Sequence, residues 1–373
     1  MRVLVYYPSN ARSVSIETMV LAIHRAGVEI ELLTTCEAGP LHEYLKREGV
    51  EAYAHPVPRR PASLYYLRQG AHLIRFCRRH RVTVVLSHLQ HTNIIAVFAR
   101  FVLKARVLPF RHHFTFVFAG DDMSFEGSRT ELMFDRIINR LSPVLIVPSQ
   151  GVADGMERAE GVDPRRLKVV PYIYDFDGYE RPQPEAVEAI RAQFPAQLTL
   201  LMVSRLVPLK RVDLAFEAVR DLLADGLDLR LLVLGDGPER ESLEAYVDRH
   251  DLGERIVMLG HRTDIVNYMA AADLLVHPSL TEASCNAVKE MALLGKTAIV
   301  CEGVGDFSEY IEDGRNGFMI PRTARPEDLA EVIRTAYNSR ERLETLGAAL
   351  RVEVLERFAV SDRRVADYLE LLS

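Results

Sequence analysis

Residues 277–304, HPSLTEASCNAVKEMALLGKTAIVCEGV, decide the fold of this chain. They follow the apolar run ADLLV, which is typical of a buried parallel strand. A proline and small polar residues then break the apolar pattern, and Asn286 is predicted to cap the helix AVKEMALLG. The next run, TAIVC, is again typical of a strand. Strand, loop, helix and strand at this spacing indicate a parallel, doubly wound sheet.

Two carboxylates, Glu282 and Glu290, are separated by seven residues around this strand-to-helix turn. Glu282 is expected on the loop beyond the strand, and Glu290 on the second turn of the helix. The backbone amides of Ser284, Cys285 and Asn286 lie between them, where a helix N-terminus offers unpaired N–H groups and partial positive charge to a phosphate. Acceptors placed above a phosphate site indicate a ligand with both hydroxyls and phosphate, and so a nucleotide sugar.

The composition is that of a folded protein with room for two domains. The chain has 373 residues, of which 48% are hydrophobic and 26% charged. No apolar run approaches the ~20 residues that a membrane-spanning helix needs, and the opening MRVLVYYPSN indicates a first strand, not a signal peptide. The four cysteines show neither disulfide nor metal-site spacing, so we expect a reducing cytoplasm.

Short apolar runs recur throughout the chain and predict two strand–helix series. Strands are expected at 3–7, 28–33, 51–54, 82–87, 106–111 and 144–148, and again at 198–204, 229–234, 256–259, 272–276 and 297–301. The aperiodic segment PYIYDFDGYERPQP separates the two series and is predicted to be a linker. The expected fold is α/β, with two tandem Rossmann-like, doubly wound parallel-sheet domains facing a cleft. The expected domains are residues 1–172 and 173–355, with a closing helix at 356–373 that packs back on the first domain.

Charge is distributed unevenly between the two halves. Residues 1–172 hold 23 basic and 16 acidic residues, a net charge of +7, whereas residues 173–373 hold 23 and 36, a net charge of −13. A basic half indicates an anionic partner or surface, unless the charges have simply drifted apart between domains. No nucleic acid partner is expected.

A basic helix is predicted within residues 58–82. Its apolar positions recur at helical spacing and define one face, and seven arginines accompany them without an acidic residue. The apolar positions are Leu64, Leu67, Ala71, Ile74 and Cys77, and the arginines are Arg59, Arg60, Arg68, Arg75, Arg78, Arg79 and Arg81. The helix either packs this face on the sheet with solvated arginines, or also touches anionic lipid headgroups in a weak, peripheral membrane contact.

Four histidines are predicted at strand ends of the first half: His88, His91, His112 and His113. Ligands of open α/β sheets bind beyond the carboxyl ends of strands. We therefore expect at least one of the four to take part in function, although strand-end histidines are more often structural.

The second half carries further candidate residues at strand ends. Arg205 and Lys210 lie on the loop after its first strand, where a planar guanidinium and a nearby ammonium can clamp a diphosphate. Gly235 and Gly237 resemble the start of a dinucleotide fingerprint, but Arg240 stands where the third glycine should be. A nicotinamide cofactor is therefore not expected. His261 and Arg262, after the next strand, are further candidates for nucleotide contact.

Four segments together carry a resemblance to a known family. They are RLVPLK (205–210), LGDGPERESLE (234–244), AADLLVHPSLTEASCNAVKEMALLGKTAIV (271–300) and DGRNGFMI (313–320). Their order and spacing resemble the donor half of glycosyltransferase family 4, whose members are retaining, nucleotide-sugar-dependent enzymes of the GT-B fold. The resemblance is specific over about residues 198–322 and weaker over the first half.

The resemblance implies roles for individual residues. Arg205 and Lys210 would bind the donor diphosphate, Glu282 would contact the transferred sugar, and Glu290 would hold the ribose hydroxyls. A first-half histidine, His112 or His113, would lie beside the reacting sugar.

Two segments depart from the family pattern. The Gly-Gly pair usual in the first loop is replaced by residues 8–13, PSNARS, and the usual Gly-Phe-Gly after the first glutamate is Ala283-Ser284-Cys285.

The predicted function is transfer of a sugar from a nucleotide diphosphate donor to a hydroxyl of a glycan or lipid-linked acceptor, with retention at the anomeric carbon. Arg205, Lys210 and the helix N-terminus would stabilise the departing diphosphate, so neither a metal nor another cofactor is expected. Asp121-Asp122 lacks the spacing of a metal-binding DxD motif. The alternatives are a nucleotide-sugar epimerase or hydrolase on the same fold, and a non-catalytic sugar-nucleotide or glycan-binding protein.

Overall fold

The structure, a computed structural model, describes residues 1–58, 60–113, 116–119, 122–125 and 129–373. Arg59 of the basic segment and Asp121 of the rejected metal motif lie outside these ranges. The chain divides into two compact units. The first comprises Met1–Phe116, Phe125–Asp177 and Phe358–Ser373, and the second comprises Val117–Ser124 and Gly178–Arg357.

The strands and helices alternate along most of the chain. The strands are β1 (Arg2–Tyr7), β2 (Glu29–Thr34), β3 (Glu51–Ala54), β4 (Val84–His88), β5 (Arg106–Phe110), β6 (Phe116–Ala119), β7 (Asp122–Phe125), β8 (Leu145–Val147), β9 (Leu167–Val169), β10 (Leu198–Val203), β11 (Leu229–Leu234), β12 (Ile256–Gly260), β13 (Leu274–His277), β14 (Thr297–Cys301) and β15 (Phe318–Ile320). The helices are α1 (Val14–Arg25), α2 (Pro40–Arg47), α3 (Ala62–His80), α4 (Gln90–Ala99), α5 (Arg129–Leu141), α6 (Gln150–Glu160), α7 (Pro184–Gln193), α8 (Val212–Ala224), α9 (Arg240–Arg249), α10 (Ile265–Ala271), α11 (Asn286–Leu293), α12 (Pro326–Asn338), α13 (Arg340–Phe358) and α14 (Asp362–Leu372).

Both sheets have the doubly wound strand order. The first unit has the order β3-β2-β1-β4-β5-β8-β9, the second has β12-β11-β10-β13-β14-β15, and β6 pairs with β7 in a separate two-stranded sheet. Within the described residues, neighbouring strands of the two larger sheets pair in parallel. In this order, strands are added toward one edge of the sheet up to a point and toward the other edge after it. The reversal lies between β1 and β4 in the first sheet and between β10 and β13 in the second. Such sheets bind ligands at this point. The predicted α/β class with two Rossmann-like sheets is confirmed, and the predicted strand ends shift by no more than two residues.

The first sheet is covered on both faces, which explains why its strands are nearly all apolar. Val3 and Val5 of β1 point into one core with α1 and α14, while Leu4 and Tyr6 point into the other with α3 and α4. The Tyr368 hydroxyl of α14 donates to the carbonyl of Pro171 at 2.9 Å. The last helix therefore belongs to the first unit.

The boundary between the units lies later than residue 172. Ile173 is fully buried in the first core, and the Tyr174 amide donates to the carbonyl of Phe358 at 2.8 Å. The amide of Val360 donates in turn to the carbonyl of Tyr174 at 3.1 Å. These backbone bonds tie residues after 172 to the returning C-terminal segment, so the first unit extends to Asp177 before the second begins.

The face of α3 that packs on the sheet is not the one predicted. Its buried side chains are Tyr65, Gln69, Leu73, Phe76 and Cys77. Of the predicted core positions only Cys77 is buried, whereas Leu64 is 37% and Leu67 70% exposed, and Ala71 is also exposed. Two apolar stripes run along this helix, and the sheet takes the one that contains the aromatic residues. Among the described residues, no helix is both long and apolar enough to cross a membrane.

Two glycines within helices, Gly70 and Gly347, differ in how closely neighbouring atoms pack against them. A Cβ on Gly347 of α13 would lie 2.0 Å from the carbonyl oxygen of Gly295, whereas a Cβ on Gly70 of α3 would lie 4.0 Å from its nearest neighbour, Ile95. Gly→Ala inside a helix otherwise stabilises by roughly 0.5–1 kcal/mol. We expect Gly70→Ala to raise the free energy of unfolding by about that amount, and Gly347→Ala to lower it by about 1–3 kcal/mol. Urea unfolding measures both, and equal effects of the two substitutions would contradict the packing of α13 on the turn after α11.

Candidate functional site

The predicted site residues of the second unit collect at the carboxyl ends of β10 and β13, which are neighbours in the sheet. Arg205 and Lys210 follow β10, and Glu282 follows β13. Because the strand order reverses between β10 and β13, the loops that follow these two strands diverge and leave room for a ligand. The predicted turn thus lies where an open α/β sheet binds its substrates.

The Glu282 carboxylate is held by two basic side chains through a single oxygen. Lys210 Nζ donates to Glu282 Oε1, and Nε2 of His277 lies 2.6 Å from the same atom. The Glu282 side chain is 13% exposed. Its other oxygen, Oε2, has no hydrogen-bond partner among the residues described, so it is available to a ligand hydroxyl.

Charges inside this cluster reinforce one another. Although burial lowers the pKa of the His277 imidazole, the adjoining Cys285 sulfur and Glu282 carboxylate raise it to about 10. Burial raises the pKa of Glu282, but His277 and Lys210 lower it to about 2. At neutral pH the cluster therefore contains a carboxylate between two cations. His277 was not predicted from the sequence, although a polar residue at the end of a strand, five positions before Glu282, is a signal that could have indicated it.

The Glu290 carboxyl group lies on the second turn of α11, as predicted, and is partly buried. Burial raises its pKa. Burial and the Glu290 charge also raise the pKa of the Tyr179 phenol, so the two side chains lie close together. Tyr179, in the predicted linker, was not a candidate from sequence.

Helix α11 begins one residue earlier than predicted. Cys285 takes the N-cap position with φ −77° and ψ 116°, its side chain makes no capping bond, and Asn286 is the first helical residue. The correction arises because Cys285 remains extended while its sulfur lies 3.5 Å from Nε2 of His277. The backbone amides of Ala283, Ser284 and Cys285 donate to no protein acceptor within the described residues, which leaves them free for an anion.

A buried ion pair fixes the base of this turn. Lys289 and Asp306 are 0–1% exposed and lie 2.9 Å apart. The Ser284 hydroxyl donates to Asp306 Oδ2 at 2.6 Å, and Lys289 Nζ lies 2.7 Å from the same hydroxyl. The Ser284 side chain is therefore engaged within the protein, and only its amide faces the predicted phosphate site.

His277, Glu282 and Cys285 also form the kind of cluster that can bind a metal ion. One ligand atom of each lies within 4.8 Å of the others. A cation there would compete with Lys210, whose ammonium already contacts Glu282. The donor set fits a soft divalent ion such as Zn²⁺ only if Lys210 moves away.

The two glycines after β11 have a structural task. Gly235 has φ +139°, and a Cβ on it would lie 1.8 Å from the carbonyl oxygen of Ser204. A Cβ on Gly237 would lie 2.3 Å from the carbonyl oxygen of Leu206. Glycine at both positions thus lets the loops after β10 and β11 touch. Between these contacts, Arg205 is exposed, and its guanidinium has no partner in the described part of the chain.

His261 and Arg262 follow β12, at the edge of the sheet. Arg262 pairs with Asp264 through two bonds of 2.9 Å and lies over the Tyr268 ring. Three strand spacings separate β12 from β13, about 14 Å. The structure does not bring these two candidates to Glu282.

In the first unit, His88 and His112 join a buried relay. His88 Nδ1 lies 3.2 Å from His112 Nε2, and His112 Nδ1 bonds to the Tyr172 hydroxyl. Burial lowers the pKa of His88 to about 3, and burial with the neighbouring His88 lowers that of His112 well below its usual value. Both rings are therefore neutral at physiological pH. Both nitrogens of His112 are already engaged.

The other two strand-end histidines lie apart from this relay. His91 lies within α4, not at a strand end, and its Nδ1 is 2.8 Å from the Tyr66 hydroxyl. His113 is exposed. Of the four predicted histidines, only His88 and His112 contact each other within the described residues.

Family models match both halves of the chain. "Glycosyl transferase 4-like domain" matches residues 13–172, and "Glycosyl transferases group 1" matches residues 187–352. Each match takes in most of one sheet and the loops at its carboxyl edge.

Curated relatives resemble mainly one half. A 2-deoxystreptamine glucosyltransferase from Streptomyces kanamyceticus is 32% identical over 182 residues, 47% of this chain and 45% of the relative. The gpi3 subunit of phosphatidylinositol N-acetylglucosaminyltransferase from Schizosaccharomyces pombe is 29% identical over 176 residues, 46% of this chain and 36% of the relative. The matched segments span less than half the length of these relatives.

Solved structures resemble the whole chain. Anabaena HepE in complex with UDP has a TM-score of 0.80 at 21% identity, covering 100% of both chains. Sucrose-phosphate synthase from Thermosynechococcus elongatus has a TM-score of 0.78 at 16% identity, covering 100% of this chain and 98% of the other. At these identities the likeness concerns the fold. With a family model on each half and this fold throughout, the chain belongs to the family 4 glycosyltransferases of the GT-B fold.

Proposed function

We propose that this protein transfers a hexosyl-type sugar from a nucleoside diphosphate sugar to a hydroxyl of a glycan or lipid-linked acceptor, with retention at the anomeric carbon. The observation that carries the proposal is the Glu282 carboxylate, held through one oxygen by Lys210 and His277 beside unpaired backbone amides. A free carboxylate oxygen can accept a hydrogen bond from a sugar hydroxyl, while cationic side chains and backbone amides can donate hydrogen bonds to a phosphate.

Departure of the diphosphate is the step that these groups assist. Negative charge grows on the leaving phosphate, and preorganised donors stabilise it best where water is excluded. Arg205 offers a free planar guanidinium, Lys210 a point charge, and the turn before α11 its amides. Because these groups supply positive charge, the proposal needs no metal or other cofactor. The leaving phosphate itself would help to deprotonate the acceptor.

The donor is proposed to be a uridine diphosphate sugar. Anabaena HepE was crystallised with UDP and with UDP-glucose, and it shares the fold of this chain. Glu290, partly buried on α11, would accept the ribose hydroxyls.

The acceptor is less narrowly defined, because the relatives are named for an aminocyclitol and for phosphatidylinositol. A cytoplasmic location stays a prediction.

Replacing Glu282 separates transfer from binding. Glu282→Gln should abolish sugar transfer, because the amide keeps the shape but loses the charge that Lys210 and His277 hold. Glu290→Ala should mainly weaken nucleotide binding. Product formation with and without acceptor, together with a thermal-shift panel of nucleotide sugars, measures both effects. Wild-type turnover in both variants would contradict the site, and product without acceptor would favour an epimerase or hydrolase.

The phosphate clamp is tested most cleanly at Arg205, which has no structural partner. Losing one charged donor to a phosphate typically costs ~1.5–3 kcal/mol, so Arg205→Ala should weaken UDP binding about tenfold or more without changing the free energy of unfolding. Arg334→Ala is the matched control, because this arginine pairs with Asp225 on another surface of the same unit. Titration calorimetry in excess chelator makes the comparison, and loss of wild-type binding or turnover on chelation would refute metal independence.

His277 should stabilise the protein in a pH-dependent way. Its pKa is raised from 6.5 to about 10, so its contribution is complete below pH 6.5 and is lost as pH rises through 10. The difference in free energy of unfolding between the wild type and His277→Asn should therefore be larger at about pH 6 than at about pH 10. Urea unfolding at both pH values measures it, with His250→Asn on α9's C-terminal turn as a control. A difference that is no larger at pH 6 than at pH 10 would contradict the raised pKa of His277.

A further inference from the structure

The first unit exposes an unusual number of large apolar side chains on one set of neighbouring elements. We define the α3–α4 surface as the outer sides of α3 and α4 with the turn that follows α4. Leu67 is 70%, Phe98 54%, Phe101 64% and Val102 54% exposed. Met133, on the adjoining α5, is 49% exposed. These residues are not needed to cover the sheet, because Tyr65, Leu73 and Phe76 already do so.

A groove of about 500 Å³ runs through this surface. Its walls are almost entirely apolar and come from three successive helices. They are formed by Leu67, Gly70 and Ile74 of α3, by Ile95 and Phe98 of α4, and by Phe134 of α5. A groove of this size and polarity accepts hydrocarbon.

The charges around the surface are mainly positive, although Glu131 of α5 is also exposed. Residues 52–120 contain ten arginines, one lysine and no aspartate or glutamate. On α3, Arg68, Arg75 and Arg78 are exposed, and no carboxylate pairs with them in the described ranges. On α5, the carboxylate of Asp135 is turned inward onto Arg111, at 3.2 Å.

This combination favours a partner that carries both anionic groups and hydrocarbon chains. A second copy of the chain would bring the same positive surface against itself, which opposes self-association. Solvated arginines alone would not require the apolar side chains between them to face outward. Apolar side chains flanked by arginines match the boundary between phosphate headgroups and acyl chains.

We propose that the α3–α4 surface inserts shallowly into an anionic lipid bilayer, with Leu67, Phe98 and Phe101 among the acyl chains and the arginines of α3 on the lipid phosphates. This differs from the electrostatic contact predicted from sequence, in which the apolar face of α3 packs on the sheet. The insertion does not depend on sugar transfer, and it would place a lipid-linked acceptor beside the first unit.

The absence of tryptophan from the sequence gives a direct test. Phe101→Trp places a single reporter in the surface, and Val352→Trp places one at a 54% exposed position of α13 in the second unit. Phosphatidylglycerol vesicles should shift the Phe101→Trp emission to the blue, and acyl chains brominated near the headgroup should quench it. The Val352→Trp emission should not change. An unchanged Phe101→Trp emission would overturn the proposal.

Sedimentation with vesicles separates insertion from charge. Leu67→Ser with Phe101→Ser should reduce the partition coefficient about tenfold or more, and Arg75→Ser with Arg78→Ser should abolish the preference for phosphatidylglycerol over phosphatidylcholine. Circular dichroism should confirm folding in each case, since all four side chains are largely exposed. Insertion would be overturned if vesicle binding were lost in high salt and if the Leu67→Ser, Phe101→Ser double substitution left the partition coefficient unchanged. A dimer dissociated by that pair would instead identify a self-association surface.

Transfer to a water-soluble acceptor is measured on the same variants. None of these residues lies near Glu282 in the sequence, and none lies in the same unit as Glu282. This activity should therefore be unchanged. Vesicle binding without any transfer by the wild type would count against the proposed function and leave the insertion standing.

Discussion

Glu282 can remain charged in a partly buried position only because two cations from different strand ends bind the same oxygen. Lys210 follows β10 and His277 ends β13, and these strands are adjacent through the pairing of Leu200 with Leu274. A carboxylate removed from water without such partners would take up a proton. The parallel pairing of two apolar strands therefore determines the protonation state of the group to which the proposed chemistry is assigned.

A buried pair of opposite charges also restricts the geometry of the turn around this carboxylate. Lys289 and Asp306 are buried together and share the Ser284 hydroxyl. Such pairs add little net stability, because the desolvation of two charges offsets their attraction. They do restrict geometry, since breaking either partner leaves a buried charge. Through the Ser284 hydroxyl, this ion pair anchors the turn that stands where the family usually has Gly-Phe-Gly.

The first unit follows a different design. Its strand-end histidines, the buried His88 and the partly buried His112, are neutral and contact each other, and His112 also bonds to Tyr172. Its positive charge lies instead on the outer helices, beside apolar side chains that the sheet does not cover. The charged cluster around Glu282 in the second unit thus lies partly buried at strand ends, whereas the arginines of α3 in the first unit are exposed on a helical surface. Sugar chemistry and surface attachment, as proposed, would use separate parts of the chain.

The sequence by itself determined the α/β class, eleven of the fifteen described strands and the turn between Glu282 and Glu290, because buried parallel strands are continuous apolar runs and polar interruptions mark their ends. It could not determine the face of α3. Two stripes, one with Leu64 and Leu67 and one with Tyr65 and Phe76, share the helical period, and only packing on the sheet selects between them. Nor could it find that Lys210 and His277 share one oxygen of Glu282, or that Lys289 pairs with Asp306. Lys210 is 72 residues from Glu282 and Lys289 is 17 residues from Asp306, so only the tertiary structure brings those charges together.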